Sequence, residues 1–300
     1  MVFSKVSLLT TAVLALGSAV SAQSSNSTAS YEQVARIQLT FPAADLTPEP
    51  VQASWLDIQG VLNVTFGDVA VSRLGDKLTV AQVQSAPAFR ISAQTAAAAN
   101  ASLFGNDKRF TVAFLDAGVA GKNTSTEVFC HYLGNNFTWD ASTGRLRNQT
   151  AARVAYGAPL PATNDGPHRY MQLVFQQFDN FTAPAIPAAN APIQTLELQD
   201  YYNNADGGLG KIVAANYIQI EVGQADAPSS TAAVNQASVT SLAASLSSAA
   251  ATGARSSSAP AASGSGGSSG SNAAPSLMGG ASMAGIVAMG SAALVGAIVL

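Results

Sequence analysis

Arg109-Phe110-Thr111-Val112-Ala113-Phe114-Leu115 is the most strand-like stretch of the chain. Its apolar, aromatic and β-branched residues fit a pleated, buried surface. It ends on a lone acid, Asp116, followed by the small residues Ala117-Gly118. An acid at a strand end beside glycine is a common way to aim a carboxylate into a cleft.

Working outward, further strands are predicted over 55–60, 62–66, 78–83, 170–175 and 217–222, with His131 at the start of another. Turn chemistry separates them at Gly67-Asp68, Gly75-Asp76, Gly105-Asn106-Asp107, Asn164-Asp165-Gly166 and Gly207-Gly208. A helical turn is expected within 96–103 and a short helix over 196–205, closed by Gly207-Gly208. Many short strands with Pro/Gly loops point to a mainly β, antiparallel architecture rather than alternating β-α units.

The chain's ends differ from this middle. Lys5, an apolar run and Val20-Ser21-Ala22 predict a cleaved secretory signal over 1–22. From residue 227 the chain turns to Ser, Ala, Gly and Thr, with Arg255 its single charge. That composition predicts a flexible, O-glycosylated stalk over 227–272. Small residues Ser271-Asn272-Ala273-Ala274, a spacer and the uncharged run 284–300 follow the grammar of a GPI signal. Asn272 is the expected attachment site, with Gly270 and Ser271 as rivals, and 273–300 is expected to be removed. The competing reading is a retained C-terminal membrane helix. Seven sequons, at Asn26, Asn63, Asn100, Asn123, Asn136, Asn148 and Asn180, suit an extracellular glycoprotein on the plasma membrane or cell wall. Asn63 falls in a strand-like run and is expected to be buried or half-buried.

What remains, 31–224, is roughly 190 residues, enough for one domain with a sizeable core. Over 31–226, setting Lys5 and Arg255 aside from the 14 basic residues leaves 12 against 17 acidic ones, a net of −5. With no basic run, a nucleic-acid partner is not expected. Cys130 is the only cysteine, which excludes an intramolecular disulfide and a Cys-based zinc site.

The chain has two histidines. His131 lies in Phe129-Cys130-His131-Tyr132-Leu133, and His168 in Gly166-Pro167-His168-Arg169-Tyr170. Two adjacent imidazoles and a Tyr hydroxyl can each donate to an anion's oxygens. Arg169 alternates with His168 along a strand and is expected to point the other way. The same residue types also fit a His₂-carboxylate metal site or acid–base work. No nucleophile elbow, phosphate-binding Gly loop or His-Glu-x-x-His accompanies them.

The ordered set Asp116, His131-Tyr132-Leu133, Tyr156-Gly157-Ala158-Pro159-Leu160-Pro161 and Gly166-Pro167-His168-Arg169-Tyr170 resembles the phosphatidylethanolamine-binding protein family. Gln84-Ser85-Ala86-Pro87 and Leu209-Gly210-Lys211-Ile212-Val213-Ala214-Ala215-Asn216-Tyr217 extend the likeness over about 55–222. The resemblance implies a central antiparallel sheet with a smaller second sheet, a sandwich with short peripheral helices. It also implies an anion pocket lined by Asp116, His131, His168 and Tyr170, with Arg169, Pro159 and Pro161 supporting the loops. No metal or cofactor is implied. The family's usual Asp-Pro-Asp-x-Pro is here Asp116-Ala117-Gly118-Val119-Ala120, without the second carboxylate and both prolines. The leading expectation is a non-catalytic surface protein that binds a small anion or phospholipid headgroup. The alternative is inhibition of a secreted serine carboxypeptidase or other protease.

Overall fold

The stretch that ends on Asp116 lies inside the larger of two sheets. The computed structural model describes residues 28–98, 100–122, 127–225 and 232–256. All of these fall in one unit, Met1–Ser258. The predicted signal over 1–22, Asn26, Asn123, Asn272 and the tail 273–300 lie outside the described residues.

In chain order the elements are α1 (Tyr31–Ala43), β1 (Gly60–Phe66), β2 (Val69–Ala70), β3 (Asp76–Leu78), β4 (Pro87–Ala93), α2 (Thr95–Ala98) and α3 (Ala101–Phe104). There follow β5 (Arg109–Val119), β6 (Glu127–Trp139), β7 (Leu146–Asn148), β8 (His168–Gln177), β9 (Gln194–Glu197), α4 (Leu198–Asn203), β10 (Leu209–Ile220) and α5 (Gln236–Ser256). The fold is mainly β. The large sheet runs β3-β10-β8-β5-β6-β7, with β9 also on β6, and the small sheet runs β2-β1-β4. Pairing is antiparallel except between β3 and β10, which run parallel.

β5 is buried along both faces, so it reads as a continuous apolar run rather than an alternation. Phe110, Val112 and Phe114 pack toward Leu62, Val64, Phe66, Phe89 and Ile91 of the small sheet. Ala113, Leu115 and Ala117 face the opposite core with Phe41 of α1, Trp55 and Tyr201 of α4. Strand alternation therefore puts Asp116 on the Phe114 side. On β8 it puts His168 and Tyr170 on one face and Arg169 on the other.

Several element boundaries differ from the sequence reading. Trp55 closes a short 3₁₀ turn, Ala53–Trp55, and the strand begins only at Gly60. The run 78–83 divides after Leu78, where Thr79 and Gln82 form a capping box that starts a 3₁₀ turn, Val80–Val83. The expected turn within 96–103 is two short turns, with the Asn100 side chain capping the second. The start of the expected helix at 196 is strand, and helix runs only from Leu198. His131 sits inside a 13-residue strand rather than at its start.

Two helices go beyond the sequence reading. α1 opens with a Ser30/Gln33 capping box and buries Val34, Ile37 and Phe41. α5 corrects the flexible stalk over 236–256. Val239, Leu242 and Leu246 recur at helical spacing within an Ala-rich segment of high helix propensity. Val239 is fully buried. Gln236 joins Glu32 and Arg36 of α1, and Ala232 N donates to Ala43 O at 2.8 Å. Among the described residues no helix is long and apolar enough to cross a membrane.

Of the sequons, Asn63, Asn100, Asn148 and Asn180 are exposed and Asn136 is half-buried. Asn63 is not buried as expected, because β1 alternates and Asn63 falls on its outer face.

Candidate functional site

Pairing across the large sheet assembles the site. Asp116 lies opposite Tyr170 between β5 and β8 and opposite Phe129 between β5 and β6. The β5–β8 register then slips, so that Val119 pairs with His168. The slip is a bulge over Ala117-Gly118, and Gly118 adopts φ 70°, a conformation open to glycine. The amide of Gly118 donates to Asp116 Oδ1 at 2.7 Å, which fixes that carboxylate.

Asp116, His131, His168 and Tyr170 are brought together. The His131 ring centroid is 5.3 Å from that of Tyr170, edge-on, and His168 stacks on Tyr170 at 6.2 Å. Asp116 and His131 are 8% and 6% exposed, and the Tyr170 side chain is fully enclosed. Burial, together with the neighbouring Asp116 carboxylate, raises the Tyr170 pKa above the usual phenol range.

The histidines differ. His131 Nδ1 donates to the Gly157 carbonyl at 2.9 Å, since a carbonyl only accepts. That leaves Nε2 with no protein partner among the described residues. Burial holds the His131 pKa below the ordinary histidine value, against smaller opposing effects of Gly157 and Asp116. His131 is therefore a neutral ring near pH 7. His168 has a carboxylate at each nitrogen: Asp116 Oδ2 at 2.8 Å from Nδ1 and Asp165 Oδ2 at 2.9 Å from Nε2. Both oxygens accept, so the arrangement favours the protonated ring, with a hydrogen on each nitrogen. Burial opposes this charge, but the two carboxylates outweigh it and raise the pKa.

Arg169 turns to the opposite face. Its guanidinium donates to Gly118 O (3.0 Å), Ala117 O (2.9 Å), Ala44 O (2.8 Å) and Asp45 O (2.6 Å). It thus ties the bulge beside Asp116 to the end of α1. Pro159 and Pro161 are buried in the loop that follows Gly157.

The sequence reading missed Asp165, Lys122 and the backbone role of Gly157. Asp165 supplies from another loop a second carboxylate that the Asp116 segment lacks, and Lys122 holds it by a 3.1 Å ion pair. The signal for Asp165 was an acid three residues before a histidine in a turn, which reads equally as turn chemistry. Among the described residues no cluster of three or more His, Cys, Asp or Glu is placed to hold a metal ion.

The family model for phosphatidylethanolamine-binding protein matches residues 59–218, more than half of the chain, and spans all four clustered residues. The chain belongs to the phosphatidylethanolamine-binding protein family. Solved structures similar to this family member include a carboxypeptidase Y inhibitor complexed with its cognate proteinase (18% identity, TM-score 0.49, 63% of this chain and 97% of that one). A phosphatidylethanolamine-binding protein from Plasmodium falciparum is 15% identical (TM-score 0.41, 61% and 95%). Another from Plasmodium vivax is 14% identical (TM-score 0.39, 65% and 98%). No curated protein matches the chain.

Proposed function

We propose that this member of the phosphatidylethanolamine-binding protein family is a non-catalytic binding protein whose site takes a small anionic group. The observation that carries the reading is His131. Its Nδ1 is pinned to Gly157, so its free Nε2 has a set orientation beside Tyr170 and His168. A neutral Nε2 accepts a proton and then donates it in a charge-assisted bond to the bound oxygen. Anion binding is thereby coupled to proton uptake. The signal, sequons and tail grammar of the sequence support display of this site outside the cell on a lipid anchor.

The test is an NMR titration of both imidazoles with sulfate, phosphate and phosphoethanolamine. Sulfate does not titrate in this range, so its affinity isolates the protein's own proton. It is expected to tighten as pH falls through the histidine range. Unmoved His131 signals at millimolar concentrations of all three anions reject the proposal. Peptidase inhibition, the alternative from the family resemblance, is read separately. A His131→Ala chain that loses anion binding yet inhibits a serine carboxypeptidase would put function elsewhere on the surface.

A further inference from the structure

The two carboxylates on His168 are held in different ways. Asp116 is part of β5, 8% exposed, and clamped by the Gly118 amide. Asp165 lies in the turn before β8, and its side chain is 42% exposed. Its neighbours Asn164 and Gly166 have φ of 62° and 117°, so the turn bends sharply on both sides of it. Lys122, also exposed, holds Asp165 from the turn after β5 through both Oδ1 and the main-chain carbonyl. One carboxylate belongs to the wall of the site, and the other reaches in from its edge.

We infer that Asp165 is an internal occupant of the anion seat: its carboxylate fills the position on His168 Nε2 that a ligand oxygen takes, and a ligand binds by displacing it. This inference rests on the anion-binding reading above. Carboxylate and phosphate oxygens are both acceptors and compete for the same N–H. Asp165 is tethered, so it competes at a high effective concentration without any loss of translational freedom. A simple carboxylate exchanges one such bond for another and gains little. A phosphate or phosphate ester brings more charge and more oxygens, and it also finds His131 Nε2 and the released Lys122. Asp165 thus sets a threshold that favours phosphate-type groups over monocarboxylates. His131 is the donor that starts binding, and Asp165 decides what completes it.

The experiment compares wild type and Asp165→Asn by calorimetry and NMR, with inorganic phosphate, phosphoethanolamine and acetate as probes. Removing the competing charge is expected to tighten phosphate binding at least about tenfold. It should also narrow the preference for phosphate over acetate. Phosphate and phosphoethanolamine in parallel show whether the free ion or the ester is preferred. In wild type, bound phosphate should move the Asp165 carboxyl carbon signal with the same midpoint as the His131 ring, a readout that needs no variant. Equal or weaker phosphate affinity in Asp165→Asn, or an unmoved Asp165 signal while His131 responds, overturns the inference and leaves the anion site standing. No His131 response in either chain overturns both.

Discussion

His131 and Gly157 hold each other in both directions: Gly157 N donates to His131 O at 2.9 Å, and His131 Nδ1 donates to Gly157 O at 2.9 Å. The first bond is main chain to main chain and sets where Gly157 lies. The second sets the ring's tautomer and leaves Nε2 open. The orientation of the site's donor therefore depends on a residue with no side chain.

Gly157→Ala tests this dependence. A Cβ at that position would run into the side chain of Ile193. Either Ile193 moves or the Gly157 carbonyl shifts. The expected destabilisation is about 1–3 kcal/mol, read by denaturant unfolding. Ile193→Ala in the same chain should relieve much of it, and the His131 ring signals should return toward their wild-type positions.

The histidines should affect stability oppositely with pH. His168 has a raised folded pKa, so its stabilisation is full below the ordinary value of 6.5 and is lost as pH rises through the folded value. The stability gap between wild type and His168→Gln should be about 1–2 kcal/mol on the acid side and shrink as pH rises. That figure counts the buried Asp116 bond and discounts the exposed Asp165 one. His131 has a depressed folded pKa, so it costs the fold stability as pH falls below 6.5. His131→Gln should be less acid-sensitive than wild type.

Much of this site was legible because strand geometry is local. Alternation alone separates His168 and Tyr170 from Arg169, and the apolar run before Asp116 places that acid at a strand end. Asp165 was not legible in the same way. Its role depends on a turn folding back onto a ring three residues later, and turn acids commonly have no partner beyond their own backbone. α1 carried its signal openly, in the Ser30/Gln33 box and in Val34, Ile37 and Phe41, but the prolines after it suggest loop. α5 was hidden by composition, since three apolar residues at the right spacing do not register in a count of Ser, Ala and Gly.

Arg169→Ala should be among the most damaging single changes in the domain. The side chain is 3% exposed, and its loss leaves the carbonyls of Ala44, Asp45, Ala117 and Gly118 without that donor. A loss on the order of 3 kcal/mol or more is expected in denaturant unfolding. Arg169→Lys keeps the charge but not the planar fork, and should recover only part of it.

If the chain is secreted, glycopeptide mapping should find Asn136 unoccupied. Its side-chain oxygen accepts from Gln177 Nε2 at 2.6 Å, and its main-chain N–H donates to Gln177 Oε1 at 3.0 Å. The residue is half-buried with φ 60° inside β6, where the side chain is held against Gln177 and gives a glycosylating enzyme little access to Nδ2. Asn63, Asn100, Asn148 and Asn180 stand exposed and are the expected sites among the described residues.

Val239→Asp decides whether α5 belongs to the domain. Val239 is fully buried on α5, whereas Leu246 packs half-buried against the core and the hydrogen bonds to α1 are exposed, so Val239 is the most enclosed contact of that docking. An unpaired carboxylate there should cost about 2–4 kcal/mol and lift α5 from α1. Undocking is expected to be local, because β5, β8 and β10 pair with one another and bury the core they share with the small sheet without α5. Hydrogen exchange should therefore show α5 and the adjoining face of α1 losing protection, while β5 and β8 amides stay slow. The imidazole signals of His131 and His168 should stay in place, since α5 contributes no residue to that cluster. Unchanged protection of α5 in the variant would mean that the helix is not held by Val239. A collapse of protection throughout the sheet would mean that α5 supports the whole domain.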